Sequence, residues 1–257
     1  MELMIITNYM LFLCFSSKDR QSLVESLLYH LDNYAIPVWY DRRVMLMGDH
    51  RNYKNFIEGV DSCDYAVIVL SPNSIASICA NEEIDLIKAR YEKRKMVVFP
   101  IFFNITAKEI PIEYNWLTEL VYKELTPSVD AIGACNHIVC KLLLDELNQY
   151  PIRTIEQYTS EYEHVPIHTY LVTMIKSYLK INSGNYYARI TLLYSACLYL
   201  RSIYIIKDVP RYYYEGIFHL FELTKLSLAL DQREVLIAER SFLLLLNSIM
   251  SGTFIQD

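Results

Sequence analysis

The stretch Cys63-Asp64-Tyr65-Ala66-Val67-Ile68-Val69-Leu70-Ser71-Pro72-Asn73 decides the fold. Its centre, residues 66–70, is unbroken apolar chain rich in β-branched side chains, too short for a helix of ordinary length, and it stops at a Ser-Pro-Asn turn. Such a run reads as a strand buried on both faces, which is the situation of a parallel sheet covered by helices. Outward from it the same alternation repeats. Apolar runs at 10–15, 35–40, 96–101 and, more weakly, 120–125 predict four further strands. Between them, helical spacing predicts helices at 16–33, 54–63, 81–93 and 131–148, with a long charged loop over 41–53. The expected architecture is α/β: a doubly wound, five-stranded parallel sheet of flavodoxin-like type over residues 1–150.

Past Tyr150 the period changes. Pro151 and Pro166 bound a polar stretch, 151–166, that reads as a linker. From 167 to 257 only helical spacing appears, in segments at 167–181, 186–205, 211–229 and 231–250, so a small all-α bundle is expected. It carries Tyr178, Tyr186, Tyr187, Tyr194, Tyr199, Tyr204 and the run Tyr212-Tyr213-Tyr214, a composition suited to assembly or sensing as well as to filling a core.

Composition narrows the function. The 257 residues are 53% hydrophobic and 21% charged, with 6 Gly and 8 Pro, which excludes a disordered or collagen-like chain. A net charge of −6 and a pI near 5.6 leave no basic footprint for nucleic acid, so none is expected as a partner. Mean hydropathy is +0.15, yet no apolar run reaches the ~18 residues of a membrane span; the richest, 190–200, is bracketed by Arg189 and Arg201. Without a basic n-region or cleavage site near the start, the expected compartment is the cytoplasm, with Cys14, Cys63, Cys79, Cys135, Cys140 and Cys197 as reduced thiols.

Several chemistries lack their residues. Neither G-x-G-x-x-G nor G-x-x-x-x-G-K-[ST] is present, so no glycine-rich loop cradles a phosphate. No H-E-x-x-H occurs, His164 and His168 flank a proline, and Cys135, His137 and Cys140 do not share one helical face, so no metal is expected.

Four motifs in order point further. Phe12-Leu13-Cys14-Phe15-Ser16-Ser17-Lys18-Asp19-Arg20 opens the first strand and turn, and Val38-Trp39-Tyr40-Asp41 with Gly48-Asp49 follows. Then come the 63–73 stretch and Ser77-Ile78-Cys79-Ala80-Asn81-Glu82-Glu83-Ile84. Together they resemble the Toll/interleukin-1 receptor (TIR) domain over about residues 9–150, with the mobile BB loop of that family falling in 41–53. The resemblance implies cleavage of the nicotinamide–ribose bond of NAD, as in bacterial antiphage systems of the Thoeris type. The products would be nicotinamide and ADP-ribose or a cyclic ADP-ribose isomer. NAD would be substrate, and no separate cofactor is implied.

By the same resemblance the catalytic glutamate falls on Glu83, with Glu82 its competitor. Phe15, Ser16, Ser17, Lys18, Asp41, Arg43, Ser71 and Cys79 would bind substrate: Phe15 against the nicotinamide, Ser16, Ser17 and Lys18 along ribose and phosphate, and Arg43 on a phosphate. Cys79 stands where active members often carry an aromatic. Val44, Met45, Leu46 and Met47 stand where some members carry acids, and an apolar loop tip of this kind suits a contact between protomers. The resemblance further implies self-association through the TIR domain and BB loop, and a downstream effector that would bind the product. The alternative is a scaffold without catalysis, working by TIR–TIR contact, with Glu83 a plain surface acid at a helix start.

Overall fold

The structure is a computed structural model, and it describes residues 10–129, 131–164, 169–204, 209–226 and 228–251. Residues 1–9 of the expected first domain lie outside the described residues, as do Pro166, His168 and Ile205. Two compact units are present: one holds residues up to Asp32 and Ile36–Cys135, the other Asn33–Ala35 and the chain from Asn136 onward.

The first unit is built on β1 (Leu11–Cys14), β2 (Val38–Trp39), β3 (Tyr65–Leu70), β4 (Val97–Phe103) and β5 (Lys123–Leu125). All are parallel, in the order β2-β1-β3-β4-β5. This is the doubly wound order expected from the alternation of runs. The central strand behaves as its sequence demands: residues 66–70 of β3 are no more than 1% exposed, with Phe12 opposite Ala66 on one side and Phe99 opposite Val67 on the other. Pairing to β5 starts only at Ile101, one residue after Pro100. That suits a residue with no N–H to give to a ladder.

Helices cover the sheet. After β1 the chain makes a short 3-10 turn (Ser17–Asp19), a wide π turn (Arg20–Val24) and α1 (Glu25–Asn33). Following β2 come α2 (Asp41–Val44), a second π turn (Tyr53–Gly59) and a 3-10 turn (Val60–Ser62). The expected loop at 41–53 is therefore partly helical, and the helix expected at 54–63 is wound more loosely than an α-helix. Gly59 explains where that segment sits. A Cβ there would lie 2.7 Å from Phe12 Cε2 and 3.1 Å from Trp39 Cε2, so only glycine lets the turn close on the core. After β3, Ser71 caps α3 (Pro72–Ile75) in a reciprocal capping box with Ser74. The next helix, α4 (Ile78–Glu92), begins three residues earlier than periodicity alone predicts, because the Ser77 hydroxyl accepts from the Ala80 N–H and starts it.

The second unit takes the rest of α5 (Ile132–Leu147), then α6 (Ile155–Tyr162), α7 (Thr169–Lys180), α8 (Tyr186–Ile203), α9 (Glu215–Lys225) and α10 (Gln232–Met250). It is helical as expected, but the division falls after Cys135 and not at 150, and the stretch read as linker holds α6. Thr154 and Gln157 form a capping box that starts this helix, and Ile155 and Tyr158 bury its inner face. The core is made by Ile190, Leu193, Cys197, Ile217, Leu220, Ile237, Phe242 and Leu245, all at most 1% exposed. Tyr178 is buried too, donating to Glu239 while Arg189 contacts both. Among the described residues no helix is long and apolar enough to cross a membrane.

Candidate active site

A cavity of about 180 Å³ opens at the carboxyl ends of β1 and β2, and its far wall is α4. In doubly wound sheets the carboxyl ends of the strands are where ligands bind. Leu13 of β1 and Phe15 just after it enter the lining with Trp39 of β2 and Asp41, the first residue of α2; Met45, Arg51 and Asn55 come from the segment after α2, and Ser77, Cys79 and Glu83 from the cap and first turns of α4. A larger hollow of about 730 Å³ lies at the opposite ends of the strands, against Tyr65, Arg90 and Val97. Its one acid, Asp64, is exposed, so it offers no desolvated carboxyl for chemistry.

The two candidate glutamates part company here. Cys79 and Glu83 are four residues apart and share the helix face that looks into the cavity. Glu82, about 100° further round, is exposed and lies 3.5 Å from Arg51 Nη2. Glu83 is only 7% exposed, and the Asn55 amide donates to its Oε1 at 2.9 Å. Burial pushes the Glu83 carboxyl up to about 8 from the usual 4.5; the negative charge of Asp41 adds to the rise, while the Cys14 and Cys79 thiols and Arg51 oppose it. Burial likewise raises the Cys79 thiol, helped by Glu83, so it is not a ready thiolate. Cys79 also accepts from Arg51, which bridges the rim.

Opposite Glu83 stands a cation that the motifs did not single out. Arg20 is 7% exposed and grips Asp41 with two bonds, Nη1 to Oδ1 at 2.8 Å and Nη2 to Oδ2 at 2.7 Å. Nη1 also donates to Tyr40 Oη at 2.7 Å, and Tyr40 in turn donates to Glu25 at 2.5 Å. Its guanidinium lies over the Phe15 ring, 4.9 Å from the centroid. The bidentate bond to Asp41 holds its proton even more tightly than usual. Phe15, in stacked contact with Tyr40, is thus a fixed aromatic wall beside the cavity.

Of the residues expected to bind substrate, Phe15, Ser17, Asp41 and Cys79 line the cavity together with Glu83. Ser16, Lys18, Arg43 and Ser71 are not in its lining. Ser16 is buried and caps the 3-10 turn by accepting from Lys18 N–H, and Lys18 is exposed. Arg43 turns to Asp32. Ser71 is 1% exposed and donates to Asp19 Oδ2 at 2.5 Å, while Asn73 donates to Asp19 Oδ1 at 2.6 Å. Asp19 thereby ties the turn after β1 to the turn after β3. Arg20, Arg51, Asn55 and Ser77 join the site without having been expected. Arg20 stood within the first motif and Ser77 within the fourth, whereas no local signal marks Arg51 or Asn55. Among the described residues no group of His, Cys, Asp and Glu is placed to hold a metal ion.

The family model for the TIR domain matches residues 11–135. The chain is 26% identical over 115 residues to NAD(+) hydrolase TcpC of Escherichia coli O6:H1, covering 44% of this chain and 37% of that protein. It is 29% identical over 104 residues to NAD(+) hydrolase TcpA of a Theionarchaea archaeon, covering 40% and 31%. It is 28% identical over 139 residues to 2' cyclic ADP-D-ribose synthase AbTIR of Acinetobacter baumannii, covering 54% and 50%. The matched region thus spans between 31% and 50% of these relatives' length. Among solved structures, the TIR domain of the Toll-related receptor TRR-2 of Hydra magnipapillata is similar with a TM-score of 0.38 and 16% identity, covering 45% of this chain and 83% of that one.

Proposed function

Residues 11–135 are a TIR domain, and from that premise we propose that this chain cleaves the nicotinamide–ribose bond of NAD, with Glu83 as the catalytic acid residue. The observation that carries the reading is a carboxyl 7% exposed, facing a cavity at the sheet's ligand-binding edge beside an aromatic wall. The cavity, at about 180 Å³, is smaller than the ~300–1,000 Å³ of pockets that enclose whole ligands. It would take the nicotinamide riboside end, with the rest of the dinucleotide along the rim.

The chemistry asks for one carboxylate. Nicotinamide in NAD is a cationic ring that leaves as a neutral base, so the leaving group needs no proton, unlike that of an ordinary glycoside. As the C–N bond breaks, its electron pair goes to the ring and positive charge moves onto the ribose. A carboxylate held beside the sugar binds that state more strongly than the ground state, and a poorly solvated site enlarges the difference. Glu83 is the group so placed. The entering cation favours its ionised form, so the acid gives up its proton as substrate binds. Water then attacks the ribose carbon and loses a proton, giving nicotinamide and ADP-ribose; attack by a hydroxyl of the same molecule gives a cyclic isomer instead. Phe15 stacks on the ring, Ser17 meets ribose hydroxyls, and Asp41, fixed by Arg20, adds a second negative charge to the cavity. The relatives named NAD hydrolase and cyclic ADP-ribose synthase support this reading at the level of the domain.

The test is release of nicotinamide from NAD by concentrated protein, followed by chromatography. Loss of release in Glu83→Gln with retention in Glu82→Gln is the expected result; equal release by wild type and both variants refutes it. The cellular setting we propose is antiphage immunity, and protection of cells against phage that vanishes with Glu83→Gln is its test.

A second reading, scaffolding by TIR–TIR contact, is favoured by one observation. Leu46, Met47 and Ile78 are 76%, 104% and 78% exposed, and they flank Met45 and Cys79 of the cavity lining. Apolar side chains so exposed around one rim suit contact with a second copy. The two readings coexist if that contact closes the cavity.

A further inference from the structure

Asn55 raises a question that the proposed chemistry leaves open. It is 5% exposed, its Nδ2 donates to Glu83 Oε1 at 2.9 Å, and its Oδ1 is buried with no hydrogen-bond partner among the described residues. A buried acceptor left unmatched is costly and calls for a reason. The segment that carries it is also unusual. The π turn Tyr53–Gly59 widens the helix, and Gly59 seats it directly on Phe12 and Trp39. Wide turns of this kind recur where a side chain must be aimed. Asn55 is thus held from behind by the core and aimed at a single group, the carboxyl of Glu83.

We infer that Asn55 is the positioning residue of Glu83, an amide able to hold that side chain in place in both of its protonation states. Toward the carboxylate it donates through Nδ2, as observed. Toward the acid, a half-turn of the amide brings Oδ1 round to accept the carboxyl proton, which gives the unmatched oxygen its partner. Other groups that bear on Glu83 are less suited to both states. Sulfur donates and accepts only weakly, the Cys14 thiol on β1 is engaged by the Ala80 carbonyl and the Cys79 sulfur on α4 by Arg51, Arg51 only donates, and Asp41 only repels the charged form. Movement of a proton at Glu83 during turnover then needs no new rotamer of the acid, and the carboxyl stays on the cavity side throughout.

This inference rests on Glu83 being the reacting carboxyl, but its test does not need NAD. Glu83 is titrated by carbon NMR in protein labelled at glutamate Cδ, its signal assigned by loss in Glu83→Gln. Two variants of nearly equal volume are compared with wild type: Asn55→Leu, which offers no hydrogen bond, and Asn55→Asp, which replaces the donor by a charge. A bond to an ionised group is stronger than one to a neutral group, so removing the amide raises the titration midpoint by about one pH unit in Asn55→Leu. The like charge in Asn55→Asp raises it further. The kcat/KM for nicotinamide release falls about tenfold at pH 7, and Asn55→Leu recovers part of the loss at higher pH. A residue that only fills space would change thermal stability and leave the midpoint where it was. An unmoved midpoint in folded Asn55→Leu overturns the inference, and Asn55→Ala, which likewise removes the amide without adding charge, decides if Asn55→Leu does not fold. A shifted midpoint in a protein that releases no nicotinamide keeps the role of Asn55 and removes the NAD chemistry; release with an unmoved midpoint does the reverse.

Discussion

Replacing Glu83 by glutamine should abolish catalysis and at the same time strengthen the fold, by an amount that grows with pH. The carboxyl is pushed up to about 8 in the folded chain from 4.5. Between those values the folded protein keeps a proton that the unfolded chain releases, so rising pH favours unfolding. Stability from this group is therefore complete below pH 4.5, declines through the interval and is flat above 8. With those two values the loss is about 1 kcal/mol at pH 5, about 3 at pH 7 and about 5 at pH 9. Glutamine has no proton to lose, and Asn55 Nδ2 can still donate to its amide oxygen. Relative to wild type, Glu83→Gln should gain about 4 kcal/mol between pH 5 and pH 9. Urea denaturation at pH 5, 7 and 9, read on both proteins, measures it. Activity of wild type moves the opposite way: the ionised fraction of Glu83 in the free protein is about one-tenth at pH 7 and about nine-tenths at pH 9, so kcat/KM should rise about tenfold across that range. Parallel stability curves for the two proteins would refute the argument, because they would mean that Glu83 is not held away from water.

Three other substitutions probe the scaffold. Gly59→Ala drives a methyl into Phe12 and Trp39 and should cost about 1–3 kcal/mol in a denaturant titration, the range of overpacked cores; an unchanged midpoint would show that the π turn is not seated on them. Arg20→Leu leaves Asp41 without its bidentate partner. Since the Asp41 side chain keeps 33% exposure and can rehydrate, the loss should be about 1–3 kcal/mol and not the full ~3–5 of a broken buried pair; KM for NAD should rise as Phe15 loses the cation over its ring. Met47→Glu changes a fully exposed loop tip, so stability should stay within about 0.5 kcal/mol. Sedimentation at high protein concentration should show weaker self-association than wild type, and equal association would remove the rim as a protomer contact.

The sheet was legible because burial on both faces leaves a mark that needs no tertiary knowledge: 66–70 cannot be anything but an inner strand, and β3 occupies Tyr65–Leu70. The site was legible only in part. Phe15 and Asp41 follow the ends of strands, where the strand pattern places them, whereas Cys79 and Glu83 are reached through the resemblance. Arg20 and Asn55 are polar residues in π turns whose winding departs from α or β periods, and Arg51 lies just before the second of them, so no hydrophobic pattern fixes the direction in which they point. Thr154-Ile155-Glu156-Gln157 has the spacing of a capping box, and it starts α6 inside what composition alone marked as linker. Ser71 and Arg43, which the resemblance put among the substrate-binding residues, have their side chains engaged by Asp19 and Asp32 and lie outside the cavity lining.

Two adjacent glutamates with opposite surroundings show what the fold contributes to the chemistry. Glu82 and Glu83 follow one another on α4, yet the first is exposed to water while the second is buried and its carboxyl is raised, by burial first. That burial is not free: it opposes folding at every pH above 4.5, by the amounts worked out above. The surrounding structure tolerates it because the adjoining strand ends are close to fully buried, with Leu13 at 2% and Trp39 at 1% exposed, and because Asn55 supplies a hydrogen bond where water cannot. The same cost is what makes the acid useful. A carboxylate kept short of solvent regains the lost interaction only when positive charge arrives beside it, first on the nicotinamide ring and then on the ribose, so the energy withheld from the resting fold becomes available as the glycosidic bond breaks. Glu82, exposed and next to Arg51, has no such deficit to recover, so with Glu82 as the acid that remains, as in Glu83→Gln, the binding surface should stay in place and the bond intact.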